Sequence, residues 1–263
     1  MTFDQLLSDW RSNRDAQEIP EGWSQGRATF GGLVAAMLYE RMAAQVEPEA
    51  SLRSLTISFV GPMAPGPVDT AAATLRAGRS VTQVEGRIRQ GDSVVLAGLA
   101  SFGRGRLSKV RVDTDTAPRF KAPEDSEALP YIPGVVPEFT QHFDYRIARG
   151  EQPFSGSKDN QLGGWVRFKE AEEKPVGVSH LLALIDAWPP AILPMLTKPA
   201  PASSLSWTVE FIEPLPNFSG THWWQYLAEV QQAADGYGVV QARLWDAGEQ
   251  LVAFTRQTVT VFD

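Results

Sequence analysis

Apolar residues along the chain fall into two arrangements, long runs with helical spacing and shorter runs that alternate with polar residues. Residues 30–46 are apolar on most sides, which is typical of a buried helix. Four strand-like runs follow, with turn residues between them, near residues 52–61, 68–78, 81–90 and 93–103. One helix followed by hairpin-linked strands predicts an antiparallel sheet with a helix packed on one face.

The same order of elements then occurs a second time. Residues 178–190 form the second helical run, and strand-like runs follow near residues 203–213, 223–234, 237–246 and 249–262. The segments LTISFVGP (55–62) and WTVEFIEP (207–214) share three residues at a constant shift of 152 (208 − 56): Thr56 with Thr208, Phe59 with Phe211 and Pro62 with Pro214. We interpret the chain as two diverged copies of one module.

The repeat sets the predicted domain boundaries. We assign residues 1–104 to an N-terminal module and residues 138–263 to a C-terminal module, in which two further strands near 138–148 and 162–170 precede the helix. Residues 105–137 are rich in proline and charge and are predicted to form an extended linker. The predicted fold class is α+β, with two tandem modules that each wrap an antiparallel sheet around a central helix.

Composition narrows the classes of function. The formal net charge of -7 argues against a nucleic-acid partner or an anionic membrane surface. The absence of cysteine excludes disulfides and cysteine nucleophiles, and the three histidines lack metal-ligand spacing, so we expect no metal site. The N-terminus lacks the apolar core of a signal peptide, and no apolar run reaches the length of a membrane span. A cytoplasmic location is the default expectation.

Two motifs carry a family resemblance that extends over nearly the whole chain. The segment GRATFGG (26–32) opens the first helix, and LVAFTRQ (251–257) lies in the last strand. With the repeated helix and sheet, they resemble acyl-coenzyme A thioesterases of the type II family, which have a double hot-dog fold. The resemblance implies an acyl-CoA substrate lying between the two helices and no separate cofactor, because coenzyme A is part of the substrate. A homodimer or larger homo-oligomer is common in the family, and the sequence leaves the oligomeric state open.

The resemblance also implies particular residues. In the family an Asp, a Ser or Thr and a Gln from the second half hold the attacking water. Gln257 matches the Gln, whereas Ser206 and Gln231 are aligned with the Asp and the Ser or Thr. Two of the three positions therefore depart from the pattern.

Asp186 is the strongest candidate catalytic residue in the chain. It is the only ionisable residue in LLALIDAWPPAI (181–192), and an isolated carboxylate in an apolar helix costs several kcal/mol unless it is paired or solvated. The segment resembles the central helix of single hot-dog thioesterases, in which an acidic residue acts as general base or nucleophile. Leu38 occupies the matching place in the first helix, so we expect one active site per chain. The alternative is a structural acid bonded to backbone amides or to an arginine.

Gly31 and Gly32 are the candidate oxyanion hole. A helix N-terminus exposes unpaired N–H groups, and glycine lets a thioester oxygen approach the backbone. The alternative is a tight turn where the helix crosses the sheet, and both interpretations are compatible.

Four further residues are weaker candidates. Gln257 is predicted to orient water or the carbonyl, with Thr208 on a neighbouring strand. His180 lies at the start of the second helix, and Trp188 would suit an acyl-chain channel. The alternatives are an outward polar side chain for Gln257, a capping or packing residue for His180 and core packing for Trp188.

We therefore predict an acyl-CoA thioesterase that releases a free acid and coenzyme A at one site between the modules. Two alternatives stay open: an acyl-CoA-binding or sensing protein without turnover, and an acyl-thioester hydratase or dehydratase. A hydratase would need a His paired with an acid, and His180 and Asp186 do not share a helical face.

Overall fold

The computed structural model describes residues 1–13 and 17–262. Its three α-helices are α1 Phe3–Ser12, α2 Gly31–Ala43 and α3 Val178–Asp186. The strands are β1 Gln17–Ile19, β2 Ser24–Gln25, β3 Ala28–Thr29, β4 Ser51–Phe59, β5 Gly66–Ala77, β6 Val81–Gln90, β7 Ser93–Gly103, β8 Glu127–Ala128, β9 Phe143–Arg149, β10 Gln161–Phe168, β11 Ala202–Phe211, β12 Trp224–Ala234, β13 Tyr237–Trp245 and β14 Leu251–Val261. None of the helices in these residues is long and apolar enough to cross a membrane.

One antiparallel sheet of twelve strands runs through both copies of the repeat. Its order is β1-β5-β6-β7-β4-β11-β14-β13-β12-β10-β9-β8, so the two halves meet where β4 pairs with β11. These are the two strands that carry the sequence repeat, and Thr56 lies directly opposite Thr208. Equivalent residues thus pair with each other, which places a local pseudo-two-fold axis at the junction of the two modules.

The two central helices lie side by side in opposite directions. A Cβ atom added to Gly32 in the first turn of α2 would lie 2.9 Å from the Cα of Ala183 in α3. Near the other end of the pair, the Ser179 hydroxyl donates to Glu40 at 2.5 Å. Each helix N-terminus therefore meets the C-terminal part of its partner, as two copies related by a two-fold axis require.

The N-terminal helix α1 was not predicted from the sequence. Thr2 and Gln5 form a capping box at its start, and its buried side chains have the spacing of one helical face: Phe3, Leu6, Leu7 and Trp10. This pattern was present in the sequence, although the polar residues between the apolar ones obscured it. The helix packs over the ends of α2 and α3, and Arg11 makes two hydrogen bonds to Glu40, at 2.6 and 2.8 Å.

Residues 105–137 cross the face of the sheet that lies opposite the helices. Two tryptophans of the C-terminal half anchor this segment: Trp165 donates to the carbonyl of Lys121 at 2.9 Å, and Trp245 donates to that of Asp115 at 3.3 Å. The segment also contains β8, which pairs with β9 and forms one edge of the sheet.

Candidate active site

A carboxylate and an amide meet between α3 and β14. Asp186 is the last residue of α3. Gln257 lies opposite the buried residues Trp207 and Val240 in the neighbouring strands, so its side chain points to the helix-bearing face. Its Nε2 donates to Oδ1 of Asp186 at 2.9 Å. Because an amide has both a donor and an acceptor, this bond leaves the Gln257 oxygen free to accept from a second group.

The other carboxylate oxygen lies against the start of α2. A Cβ atom on Gly31 would be 2.6 Å from Oδ2 of Asp186 and 3.2 Å from the ring of Phe59, so only glycine fits at this position without movement. The backbone N–H of Gly32 also interacts with the carboxylate. Since α2 belongs to the N-terminal half, Asp186 lies across the seam between the modules, at the positive end of the partner helix.

Burial gives this carboxyl an unusual pKa. Desolvation raises the pKa of Asp186 from an ordinary 3.8 to about 7, although the hydrogen bond from Gln257 and the Gly32 N–H both lower it. Asp186 as a residue nevertheless keeps a partial exposure to solvent. A carboxyl group with this pKa is partly ionised near neutral pH and can accept or release a proton there.

The interaction with Gly32 concerns the predicted oxyanion hole. Gly31 and Gly32 were expected to leave their N–H groups free for a thioester oxygen. In the structure the Gly32 N–H faces Asp186 and stabilises its charged form. The N–H of Gly31, at the first position of the helix, has no partner within the helix itself.

The structure does not bring His180 or Thr208 to Asp186. His180 is in the first turn of α3, at the opposite end of the helix, where it is buried and bonds Asp4 of α1 at 3.0 Å. Thr208 lies opposite Thr56 and Arg256, both exposed, so its side chain is on the other face of the sheet from Gln257. The spacing of six residues already indicated that His180 and Asp186 do not share a helical face. The position of Thr208 could not be predicted in the same way, because it depends on strand register.

The residues aligned with the family's Asp and Ser or Thr also lie apart from Asp186. Ser206 alternates with Trp207 and faces the outer side of the sheet, and Gln231 is exposed at an irregularity in β12. The carboxylate that meets Gln257 is thus supplied by α3 and not by the start of β11.

The pseudo-symmetric position in α2 has no free carboxylate. Leu38 is fully buried and packs towards Gly86 and Gly98 of the sheet. Glu40, one helical turn from the end of α2, accepts from both Ser179 and Arg11. The two ends of the helix pair have therefore diverged, and within the described residues the Asp186–Gln257 arrangement occurs at one end.

Two tyrosines near Asp186 were not predicted from the sequence. Tyr145 in β9 and Tyr226 in β12 are both buried, and the charge of Asp186 contributes to raising the pKa of each hydroxyl. Trp188, which the sequence did predict for this region, packs between them. In the sequence, the strands that contain Tyr145 and Tyr226 were recognised only by their alternating apolar residues. This alternation does not distinguish an aromatic residue near the site from an ordinary core residue.

The chain consists of two tandem modules that each pack a helix on an antiparallel sheet, and a family model matches each half. The model described as the acyl-CoA thioesterase N-terminal domain matches residues 19–103, and the one described as the acyl-CoA thioesterase C-terminal domain matches residues 123–261. Together they cover most of the chain, so the protein belongs to the acyl-CoA thioesterase family and is a thioester hydrolase. No curated protein matches the sequence at a significant level.

Solved structures agree on the fold. A conserved protein of unknown function with a hot-dog fold from Alicyclobacillus acidocaldarius has a TM-score of 0.82 and 24% identity, with 94% of this chain and 92% of that chain covered. The acyl-CoA thioesterase II TesB2 from Mycobacterium marinum has a TM-score of 0.71 and 20% identity, with 99% and 98% covered. The tesB protein of Mycobacterium avium subspecies paratuberculosis has a TM-score of 0.72 and 17% identity, with 98% and 100% covered. The predicted double hot-dog fold is confirmed.

Proposed function

We propose that the protein hydrolyses an acyl-CoA thioester to a free acid and coenzyme A, at one site per chain on the seam between the modules. The observation that carries the proposal is the contact between Asp186 and Gln257 at the start of α2. The attack of water on a carbonyl needs a base, a group that orients the water and a donor for the oxyanion. The corresponding groups here are a carboxylate with a pKa of about 7, an amide with a free oxygen and a helix N-terminus.

The proposed reaction proceeds through water. Asp186, ionised, and the free oxygen of Gln257 accept the two hydrogen bonds of a water molecule. The water oxygen attacks the thioester carbon while its proton passes to Asp186, and the carbonyl oxygen becomes an oxyanion. Collapse of this intermediate breaks the carbon–sulfur bond, and the thiolate of coenzyme A takes the proton back from Asp186. The scheme uses no cofactor.

The first turn of α2 is assigned two tasks. The Gly32 N–H orients Asp186, and the Gly31 N–H polarises the thioester carbonyl. The two N–H groups are given different tasks because one N–H cannot fully serve a carboxylate and an oxyanion at the same time. Loss of one oxyanion donor typically costs about 10²–10³ in rate.

The test is hydrolysis of a panel of acyl-CoA esters with detection of the released thiol. Asp186→Asn is expected to lower kcat/KM by at least about 100-fold, because it removes the base. Gln257→Leu is expected to lower it by a smaller factor and to move the midpoint of the pH–rate profile upwards, since the Gln257 bond lowers the pKa of Asp186. Turnover by Asp186→Asn within a few-fold of the parent protein would exclude this mechanism.

The same panel decides between hydrolysis and the two alternatives. A binding protein would retain acyl-CoA without releasing thiol, and a hydratase would convert enoyl-CoA esters without releasing thiol. The hydratase alternative lacks support from the site, because His180 pairs with Asp4 at the far end of α3.

A further inference from the structure

Three buried aromatic side chains form a continuous surface beside Asp186, which we call the aromatic wall: Tyr145, Trp188 and Tyr226. Trp188 stacks on Tyr226 with ring centroids 5.5 Å apart and an interplanar angle of 9°. Its edge meets Tyr145 at 5.9 Å and 81°. The three residues are 2%, 5% and 8% exposed in chain order, so all three rings are buried.

The aromatic wall borders the reacting carboxylate. Trp188 is two residues beyond Asp186 in the chain. The hydroxyl of Tyr145 donates to the carbonyl of Ala187, the residue next to Asp186, at 3.1 Å. The charge of Asp186 also acts on the hydroxyls of both Tyr145 and Tyr226, which places them within electrostatic reach of it. An acyl group whose thioester lies at Asp186 would therefore meet these rings.

One donor in the aromatic wall has no partner. The indole Nε1 of Trp188 is buried, and among the residues that the structure describes nothing accepts a hydrogen bond from it. Buried donors are almost always paired in folded proteins, because an unpaired one loses its bonds to water without replacement. Indole Nε1 can only donate, so the missing partner is an acceptor.

We propose that the aromatic wall is the acyl-group subsite and that Trp188 Nε1 donates to an oxygen on the acyl group. The preferred substrate is then a compact acyl group with a hydroxyl or carbonyl oxygen. A long unsubstituted chain fits poorly for two reasons: it would have to separate rings that already pack together, and it would leave the indole donor unpaired. This inference rests on the proposed function, since it names the substrate class for that same site.

The test compares two esters of equal chain length, 3-hydroxybutanoyl-CoA and butanoyl-CoA, with palmitoyl-CoA as the long-chain probe. The parent protein is expected to prefer 3-hydroxybutanoyl-CoA and to hydrolyse palmitoyl-CoA least well. Trp188→Phe keeps a ring but removes the donor, so the ratio of kcat/KM for the hydroxylated over the plain ester is expected to fall about fivefold. An unchanged ratio in Trp188→Phe, or a preference for palmitoyl-CoA, would overturn the proposal.

Trp224→Phe is the matched control. The Nε1 of Trp224 is also buried without a partner, but in the described part of the chain its ring is not paired with the rings of the aromatic wall. The ratio is expected to stay the same in this variant. An equal fall would show that any loss of a buried indole donor disturbs the site, and the assignment to Trp188 would fail.

Binding to Asp186→Asn separates this inference from the proposed function. Calorimetric titration of Asp186→Asn and of the double variant Asp186→Asn/Trp188→Phe with the two short esters reports the subsite without turnover. If the parent protein releases no thiol but Asp186→Asn binds the hydroxylated ester about fivefold more tightly, hydrolysis is refuted and the subsite stands. If Asp186→Asn binds both short esters equally, the subsite is refuted whatever the turnover.

Discussion

Asp186→Asn is expected to make the protein more stable while it removes activity. The structure raises the pKa of this carboxyl from 3.8 to about 7, so the folded protein holds a proton that the unfolded chain releases. The unfolded state binds fewer protons between these values, and stability therefore falls as the pH rises through this window. At 1.36 kcal/mol per pH unit, a difference of about 3 units corresponds to roughly 4 kcal/mol lost by pH 8.

Asparagine has nearly the same shape and carries no charge to desolvate. It has one oxygen for two donors, Gln257 and Gly32, so part of the gain is lost to an imperfect hydrogen bond. We expect Asp186→Asn to be about 2–4 kcal/mol more stable than the parent protein at pH 8. The advantage is expected to shrink to about 1 kcal/mol or less near pH 4.5, where the charge contribution has mostly disappeared.

Urea unfolding followed by circular dichroism and tryptophan fluorescence measures this difference across the pH range. The two signals must give the same midpoint, because a two-module chain need not unfold in a single step. A difference in unfolding free energy that stays constant between pH 4.5 and pH 8 would refute the assignment of a desolvated carboxylate. A variant less stable than the parent protein at pH 8 would refute it as well. The expected outcome is that the substitution raises stability and lowers activity, as is common at residues that function requires.

Three further predictions concern the pH–rate profile, Gly31 and Asp4. The kcat/KM of the parent protein is expected to rise with pH to a plateau, with a midpoint near 7 set by Asp186, and a flat profile from pH 5 to 8 would contradict the proposed base. Gly31→Ala is expected to lower turnover at least about tenfold, because the added methyl group displaces the carboxylate of Asp186. Gly177→Ala at the start of α3 is the control. Its added methyl group would have no atom within 4 Å, so this variant is expected to keep its activity. Asp4→Asn is expected to lower the unfolding free energy by about 1–2 kcal/mol with little change in kcat. The reason is that the Asp4 carboxylate bonds His180 and the backbone of Glu172, far from Asp186. A large loss of kcat would contradict this and would indicate that α1 takes part in catalysis.

Local pattern accounts for most of the predicted fold. The strand predictions near 81–90 and 93–103 match β6 and β7, since alternation and glycine turns are local signals. The second central helix ends at Asp186, earlier than the predicted residue 190, because Pro189 and Pro190 cannot continue it. Helix α1 was missed although its apolar spacing was visible in the sequence.

The sequence alone determined that the chain repeats itself, and it singled out Asp186 and the glycine pair by their unusual chemistry in apolar surroundings. Only the tertiary structure decided which partners these residues have. Register in β14 points Gln257 at Asp186, and the packing of α1 gives His180 its partner Asp4. A side chain's neighbours depend on contacts between residues far apart in the chain, and periodicity within one segment carries no information about those contacts.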